Sequence, residues 1–370
     1  MKRLRCVIMR GGTSKGVFFH ENELPQDPDR RREVILRVFG SPDRRQIDGL
    51  GGADILTSKV AIIGPPSRRD ADVDYVFGQV GITEPVIDFG TICGNLSAAV
   101  GPFAIDEGLV RVKEPFTQVR IFCPMVGRYL TAEVEVRDGK AVYEGTFRID
   151  GVPGTGSRIS LDFADTAGLI TGELLPMGRA KDTLYVEGVG RIEVSVVDAA
   201  TVVAFVRAAD LGLRGAETPD EIEADKTLME GLERIKRQVA QLANLTQRSP
   251  LLPMVAMVQE PVQWKTFATG EIVRAEQVDV LSKVYAAGMM HKAYPVTGCV
   301  ATGAAAMIEG TIVNEILSER WKGREELVIG HFSGMIPIEV AGEGKGPEFS
   351  LRKAVVYRTA RRIMEGWVYV

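Results

Sequence analysis

Histidine and cysteine are scarce in this 370-residue chain, with three of the first and four of the second. Cys6, Cys93, Cys123 and Cys299 form no CxxC pair, and His20, His291 and His331 are as widely scattered. No metal-ligand spacing arises from them, so a zinc site is excluded, and unpaired thiols fit a reducing compartment. Excess positive charge is also missing. The 45 Lys and Arg stand against 49 Asp and Glu, a formal net charge of −4. With no basic-aromatic cluster to offset this balance, nucleic acid is not an expected partner. Long apolar runs are absent too: none approaches the roughly 20 residues that a bilayer span requires. The opening "MKRLRCVIMRGG" has only a very short apolar stretch before its glycines, so it does not read as a signal peptide. The expectation is a soluble, cytoplasmic, metal-free protein with no membrane contact.

What the chain does have is core. With 45% hydrophobic residues and 25% charged ones it can bury a large interior, and its length predicts two domains. Forty glycines and 18 prolines spread throughout suit many short strands joined by turns. "CVIM" and "GVFF" flank "RGGTSKG" (10–16) and read as a hairpin. "DPDRRREVILRVFG" reads as an amphipathic helix ending at Gly40, and "SKVAIIG" as a strand. "DVDYVFGQVGI" is a strand with Val73, Tyr75 and Phe77 on one face. "QVRIFCPMV", "YLTAEVEVRDGKAVYEG", turning at Asp138-Gly139, and "FRIDGV" continue the strands. The glycine-rich stretch 162–190 places a boundary near residue 185. The domains are then 1–185 and 186–370, with a final strand at 366–370 returning to the first.

The second half restarts with "RIEVSVVDAATVVAFV" and has one long charged helix, 219–245, with Leu228, Leu232, Ile235 and Val239 as its apolar stripe. Its later segment "HKAYPVTGCVATGAAAMIEGTIV" (291–313) repeats the grammar of "DFGTICGNLSAAVGPFAIDEGLV" (88–110): an approach, small residues with a cysteine, then an alanine-rich helix. Two halves, each of strands around one small-residue helix, predict a duplicated α+β architecture with a cleft where the halves meet.

Two residues stand out chemically. Cys93 sits where a strand-like run passes through Gly90, Gly94 and Asn95 into a helix, and unpaired N–H groups at a helix start favour a thiolate. A small buried hydrophobe is the alternative role. Pro102 is expected to kink or end that helix after about two turns. Lys59 enters a strand whose other residues are apolar, on the face of Ala61 and Ile63. It either snorkels past the strand end or faces a cleft as a base. Base chemistry requires desolvation or a nearby cation, because an ordinary lysine loses its proton only near pH 10.4. Gly49, Gly51 and Gly52 upstream read as a loop that lets a ligand approach the backbone. "MRGGTSKG" lacks the phosphate-loop spacing, and "GVPGTGSRIS" has neither the helix nor the acid of a dinucleotide site. Both more simply offer N–H and hydroxyl donors to carboxylates, and Ser14, Lys15 and Arg10 suit that purpose.

Together, "MRGGTSKG", "SPDRRQIDGLGGADILTSKVAI", "CGNLSAAVGPFAIDEGLV", "HKAYPVTG" and "TARRIMEGWVYV" resemble the PrpF-like isomerases, which include 2-methylaconitate cis-trans isomerase and 4-oxalomesaconate tautomerase. "CGN" is also similar, more distantly, to the first cysteine motif of diaminopimelate epimerase. The resemblance implies a diaminopimelate-epimerase-like α+β fold: two similar domains, each a curved sheet wrapped around a central helix, with the active site between them and no cofactor. It implies a cofactor-independent isomerase of unsaturated di- or tricarboxylic acids of the methylaconitate, oxalomesaconate or methylitaconate type.

Under it Lys59 and Cys93 are catalytic. Thr13, Ser14, Gly51, Gly52, Gly94, Asn95, Thr297 and Gly298 contact substrate carboxylates, with Ser58, Lys283, His291 and Cys299 completing the site. A homodimer is implied, and an aconitase-like dehydratase is a candidate partner. Two departures from the family pattern are visible. "TGCVATGAAA" puts Val300 at the epimerases' second cysteine and Cys299 one residue early. "KVYAAGMMHKAY" has Lys283 where the family carries an arginine, which loses the bidentate grip on a carboxylate. The competing readings are an epimerase acting alpha to a carboxylate and a non-catalytic accessory of an aconitase-like enzyme.

Overall fold

The computed structural model describes residues 3–249, 251–317, 321, 324–344 and 348–370. The chain forms two compact units, Met1–Leu161 with Tyr357–Val370, and Asp162–Val356. The division therefore falls at Leu161/Asp162, not near residue 185. The glycine-rich stretch is tied to the second unit by a hairpin, Asp182–Val186 on Gly190–Asp198. It is held again by Asp198, whose carboxylate accepts from the N–H groups of Ile170 and Thr171 at 2.8 and 2.7 Å. The returning segment is also longer than expected and begins at Tyr357.

In the first unit, Arg3–Gly11 pairs antiparallel with Ser14–His20, which runs parallel to Lys59–Gly64. Lys59–Gly64 is antiparallel to Val73–Val80, which is parallel to Phe116–Cys123, itself antiparallel to Arg128–Arg137. Ala360–Tyr369 adds antiparallel to the free side of Arg3–Gly11. The helix Pro28–Phe39 covers one sheet face. Asp27 caps its start by accepting from the Arg30 N–H at 2.9 Å, and Gly40 ends it in the left-handed conformation. Its Ile35, Val38 and Phe39 pack with Val17, Phe19, Val60 and Ile62.

The opposite face takes Gly94–Asp106, in which every residue from Gly94 to Ile105 is buried. A helix enclosed all round must be made of small residues. A Cβ on Gly101 would lie 2.8 Å from Val134. This helix is two segments, Gly94–Ser97 and Val100–Asp106. Pro102 falls in the first turn of the second, where a missing N–H leaves no bond unmade. The interruption expected from sequence lies at Ala98 and Ala99, about one turn before the proline, so Pro102 sits in the start of the second segment.

The second unit repeats the order. Gly190–Asp198 is antiparallel to Val202–Arg207, then follow Met254–Gln259 in parallel, Val280–Ala286 antiparallel, Glu326–His331 parallel and Gly334–Glu343 antiparallel. Its helix, Val296–Met307, is buried from Val296 to Ala306. The expected long helix is two, Pro219–Ala224 and Lys226–Leu242, because Asp225 ends the first and caps the second through the Leu228 N–H. "FRIDGV" forms no strand; Phe147 makes a single bridge to Gly156.

Candidate active site

The hairpin turn at Gly12 and Thr13 is shaped by its contact with the start of the buried helix. Gly12 has φ of 51°, and a Cβ there would lie 2.2 Å from Asn95 Oδ1. At Gly11 a Cβ would lie 2.7 Å from the Asn95 carbonyl oxygen. Only paired glycines let the two motifs meet. The Asn95 side chain, 2% exposed, then accepts from the Thr13 N–H at 3.3 Å and from Arg358 Nε at 3.1 Å. The Asn95 carbonyl end thus clamps hairpin to helix. Arg10 is likewise committed, donating to the carbonyls of Gly12 and Thr359 at 2.9 and 3.0 Å. Burial holds its guanidinium below the usual arginine range.

Cys93 occupies the N-cap of Gly94–Ser97, half-buried, and its Sγ accepts from the Leu96 N–H at 3.4 Å. The Ser14 hydroxyl lies 3.7 Å from that sulfur. Beside it, Thr13 Oγ1 is buried and has no hydrogen-bond partner among the described residues. The helix behind Cys93 is a single four-residue turn, so local N–H groups act on the sulfur more than a macrodipole does.

Lys59 opens its strand and is 7% exposed. Its Nζ donates to Gln79 Oε1 at 2.6 Å and lies 5.2 Å from the centre of the Phe77 ring. Register puts Lys59 opposite Gln79, Ala61 opposite Phe77 and Ile63 opposite Tyr75. Val60 and Ile62 belong to the cluster under Pro28–Phe39, so Lys59 points to the other face, where the buried helix lies. Phe18, on that same inner face, packs against Phe103 of the helix at 5.5 Å. The fully buried Tyr75 hydroxyl is pushed well above the usual phenol range by burial, with the Cys93 and Cys123 thiols adding to the shift.

Gly16 lets the strand of Lys59 and the buried helix close on its own strand. A Cβ on it would lie 2.8 Å from the Lys59 carbonyl oxygen and 2.9 Å from the Leu96 side chain. Lys59 and Cys93 both belong to the first unit: the lysine side chain points to the sheet face that the buried helix covers, and Cys93 caps the first turn of that helix beside Ser14.

Other expected contacts have structural duties. Gly51 is pressed against the Gln46 amide and Gly52 against Thr57, at 2.2 and 2.3 Å for an added Cβ. At both positions only a glycine leaves room for the neighbouring protein side chain. The Ser58 hydroxyl is fully buried, donating to the Val80 carbonyl at 3.0 Å and accepting from Gln46 Nε2 at 2.8 Å. Gly94 is buried in the helix start.

In the second unit, Lys283 is buried against the ring of Phe332 and ion-paired with Glu217 Oε2 at 3.7 Å, so its amine grips a protein carboxylate. Burial pulls it down to about 8, partly opposed by Glu217. His291 is 7% exposed, and its N–H donates to the Val284 carbonyl at 2.8 Å. Thr297 and Gly298 lie in the first turn of Val296–Met307, with the Gly298 carbonyl accepting from the Thr302 hydroxyl at 2.7 Å. Cys299 is wholly buried in the same turn.

The repeat makes the asymmetry plain. Met254 opens the strand equivalent to that of Lys59, and Pro295 caps the helix equivalent to that of Cys93. Gln79, the partner of Lys59, was not singled out from sequence. Its signal is a lone amide on the otherwise apolar inward face Val73, Tyr75, Phe77. Among the described residues no group of three or more His, Cys, Asp or Glu is placed to hold a metal ion. Among them, too, no helix is long and apolar enough to cross a membrane.

The family described as PrpF protein matches residues 1–370. A 3-methylitaconate isomerase of Eubacterium barkeri is 48% identical over 377 residues, covering 100% of this chain and 97% of that protein. A 4-oxalomesaconate tautomerase of Pseudomonas putida is 39% identical, covering 100% and 96%. Among solved structures, a methylitaconate-delta-isomerase superposes with a TM-score of 0.83 at 47% identity, covering 100% of this chain and 96% of that one. A hydroxyproline epimerase from Agrobacterium vitis gives 0.61 at 14% identity, covering 100% and 91%. The last likeness concerns the fold alone, which is the diaminopimelate-epimerase-like one.

Proposed function

This chain belongs to the PrpF family, and on that premise we propose that it isomerises an unsaturated di- or tricarboxylic acid by moving a proton along an allylic system. Lys59 is the base. Its neutral amine takes a proton from the carbon next to a carboxylate-activated double bond, and the electron pair spreads into a dienolate. The Cys93 thiol returns a proton to the far end, which shifts the double bond; rotation within the delocalised anion gives cis-trans isomerisation instead. The ammonium and thiolate left behind regain their starting forms by net proton transfer through solvent. Ser14 and the unpartnered Thr13 hydroxyl supply donors for the developing charge. Each positioned acid or base contributes roughly 10² to 10⁴ in rate.

The observation that carries this reading is that Lys59 points to the sheet face covered by the buried helix, whose first turn Cys93 caps with the Ser14 hydroxyl 3.7 Å from its sulfur. Relatives named for methylitaconate and oxalomesaconate support the substrate class. Substrate carboxylates favour the ammonium form of Lys59, so a cation must offset them. Arg10 is bound to carbonyls and Lys283 to Glu217, while Lys15 alternates onto the face of Val17 and Phe19, under Pro28–Phe39. The homodimer implied by the resemblance is part of this reading, and no step above depends on it.

An epimerase acting alpha to a carboxylate is less well supported, because the second unit offers Met254 and Pro295 where the first has its amine and thiol. A non-catalytic accessory has no use for either group. Turnover of methylitaconate-type acids by wild type, lost in Lys59→Met, is the expected result. Near-wild-type turnover by that variant would refute the assignment.

A further inference from the structure

We propose that Gln79 is a positioning residue for Lys59, aiming the amine while presenting it with a neutral acceptor instead of an anion; this rests on the reading of Lys59 as the base. The geometry leaves the amide one orientation. Its Nε2 donates to the Ser58 carbonyl at 2.9 Å and to the Ile55 carbonyl at 3.3 Å. Carbonyls only accept, so the NH₂ end must face them and Oε1 must face Lys59, where it lies 2.6 Å from Nζ. The amide is held at its far end by backbone, so its oxygen fixes the direction of an otherwise flexible lysine.

The chemical identity of the acceptor matters as much as its position. Among the described residues Lys59 makes no ion pair, and its Nζ lies 5.2 Å from the centre of the Phe77 ring. A carboxylate at the position of Oε1 would favour the ammonium and block proton abstraction, whereas an amide holds the nitrogen without that bias. The Ser58 and Ile55 carbonyls also discriminate against glutamate here, because its second oxygen would meet two acceptors with no proton to share.

The experiment compares wild type with Gln79→Glu and Gln79→Met. Both variants lose the two donated bonds, and they differ in the charge offered to Lys59. Two profiles are measured against pH: kcat/KM with whichever acid wild type turns over, and the rate at which cyanate carbamylates Lys59 in substrate-free protein, read by peptide mass spectrometry. Cyanate reacts with the uncharged amine, so it reports on Lys59 without any turnover. In Gln79→Glu both midpoints are expected to rise by about one pH unit or more, lowering rates near neutrality about tenfold. Gln79→Met should raise neither midpoint, yet lower kcat about tenfold or more with little change in KM, because the amine is no longer aimed.

Unmoved midpoints in Gln79→Glu would overturn the proposal. If that variant does not fold, an undiminished kcat in Gln79→Met overturns it instead. A shifted cyanate profile with an unshifted kcat/KM profile would leave Gln79 as the partner of Lys59 and remove Lys59 as the base, so the two ideas fail separately.

Discussion

Gly12 and Asn95 meet so closely that a single added carbon on the glycine would lie 2.2 Å from the asparagine Oδ1. The contact joins the hairpin that carries Ser14 to the turn that carries Cys93, across 83 positions of sequence. Gly12→Ala faces both this clash and a φ of 51°. A strained backbone of that kind costs about 1 to 3 kcal/mol before the clash is counted. Urea unfolding should show a loss of at least that size, together with reduced turnover. A variant as stable as wild type would mean that the hairpin and the helix start are not locked together.

Cys93 has two duties that substitution can separate. Its sulfur caps Gly94–Ser97 through the Leu96 N–H, and serine is a better cap than cysteine. Cys93→Ser should therefore melt at or above the wild-type temperature while losing roughly 10² to 10⁴ in kcat. Parallel loss of stability and activity would instead mark the thiol as a structural residue. Ser14→Ala, which removes the hydroxyl 3.7 Å from the sulfur, should keep the fold and lose less rate than the cysteine variant.

Much of this site was legible because local chemistry dictated it. Asp27, Pro28 and Gly40 announce the limits of one helix, and the Gly-Gly and Cys-Gly-Asn turns announce close backbone approach. Lys59 stood out as one cation at the mouth of an apolar strand. What could not be read were partners set by register or by distant chain. Arg358 reaches Asn95 over 263 positions, and Gln79 meets Lys59 only once their strands pair. The loop glycines are ambiguous for a related reason. A tight approach by Gln46 or Thr57 leaves the same trace in sequence as an approach by a ligand. Asp225 divided the long helix because its capping bond competes with continuation, which apolar spacing does not reveal.

The burial of Lys283 has a thermodynamic consequence. Burial lowers its folded-state pKa to about 8, while an unfolded lysine titrates near 10.4. Between those values the unfolded chain binds more protons, so stability should rise as the pH climbs from about 8 to about 10.4. Urea midpoints recorded across that window should show the rise in wild type and a flatter response in Lys283→Met. The same slope in both proteins would contradict a buried, desolvated amine.

The central claim is proton transfer to and from carbon by Lys59, and solvent deuterium reads it directly. Wild type and Lys59→Met are incubated in D₂O with aconitate, methylaconitate, methylitaconate and oxalomesaconate-type acids while NMR follows the vinyl and allylic protons. The account predicts exchange at the allylic carbon of at least one acid, coupled to movement of its double bond, with both lost in Lys59→Met. Exchange at a saturated stereocentre with the double bond unmoved, or undiminished exchange in the lysine variant, would contradict it.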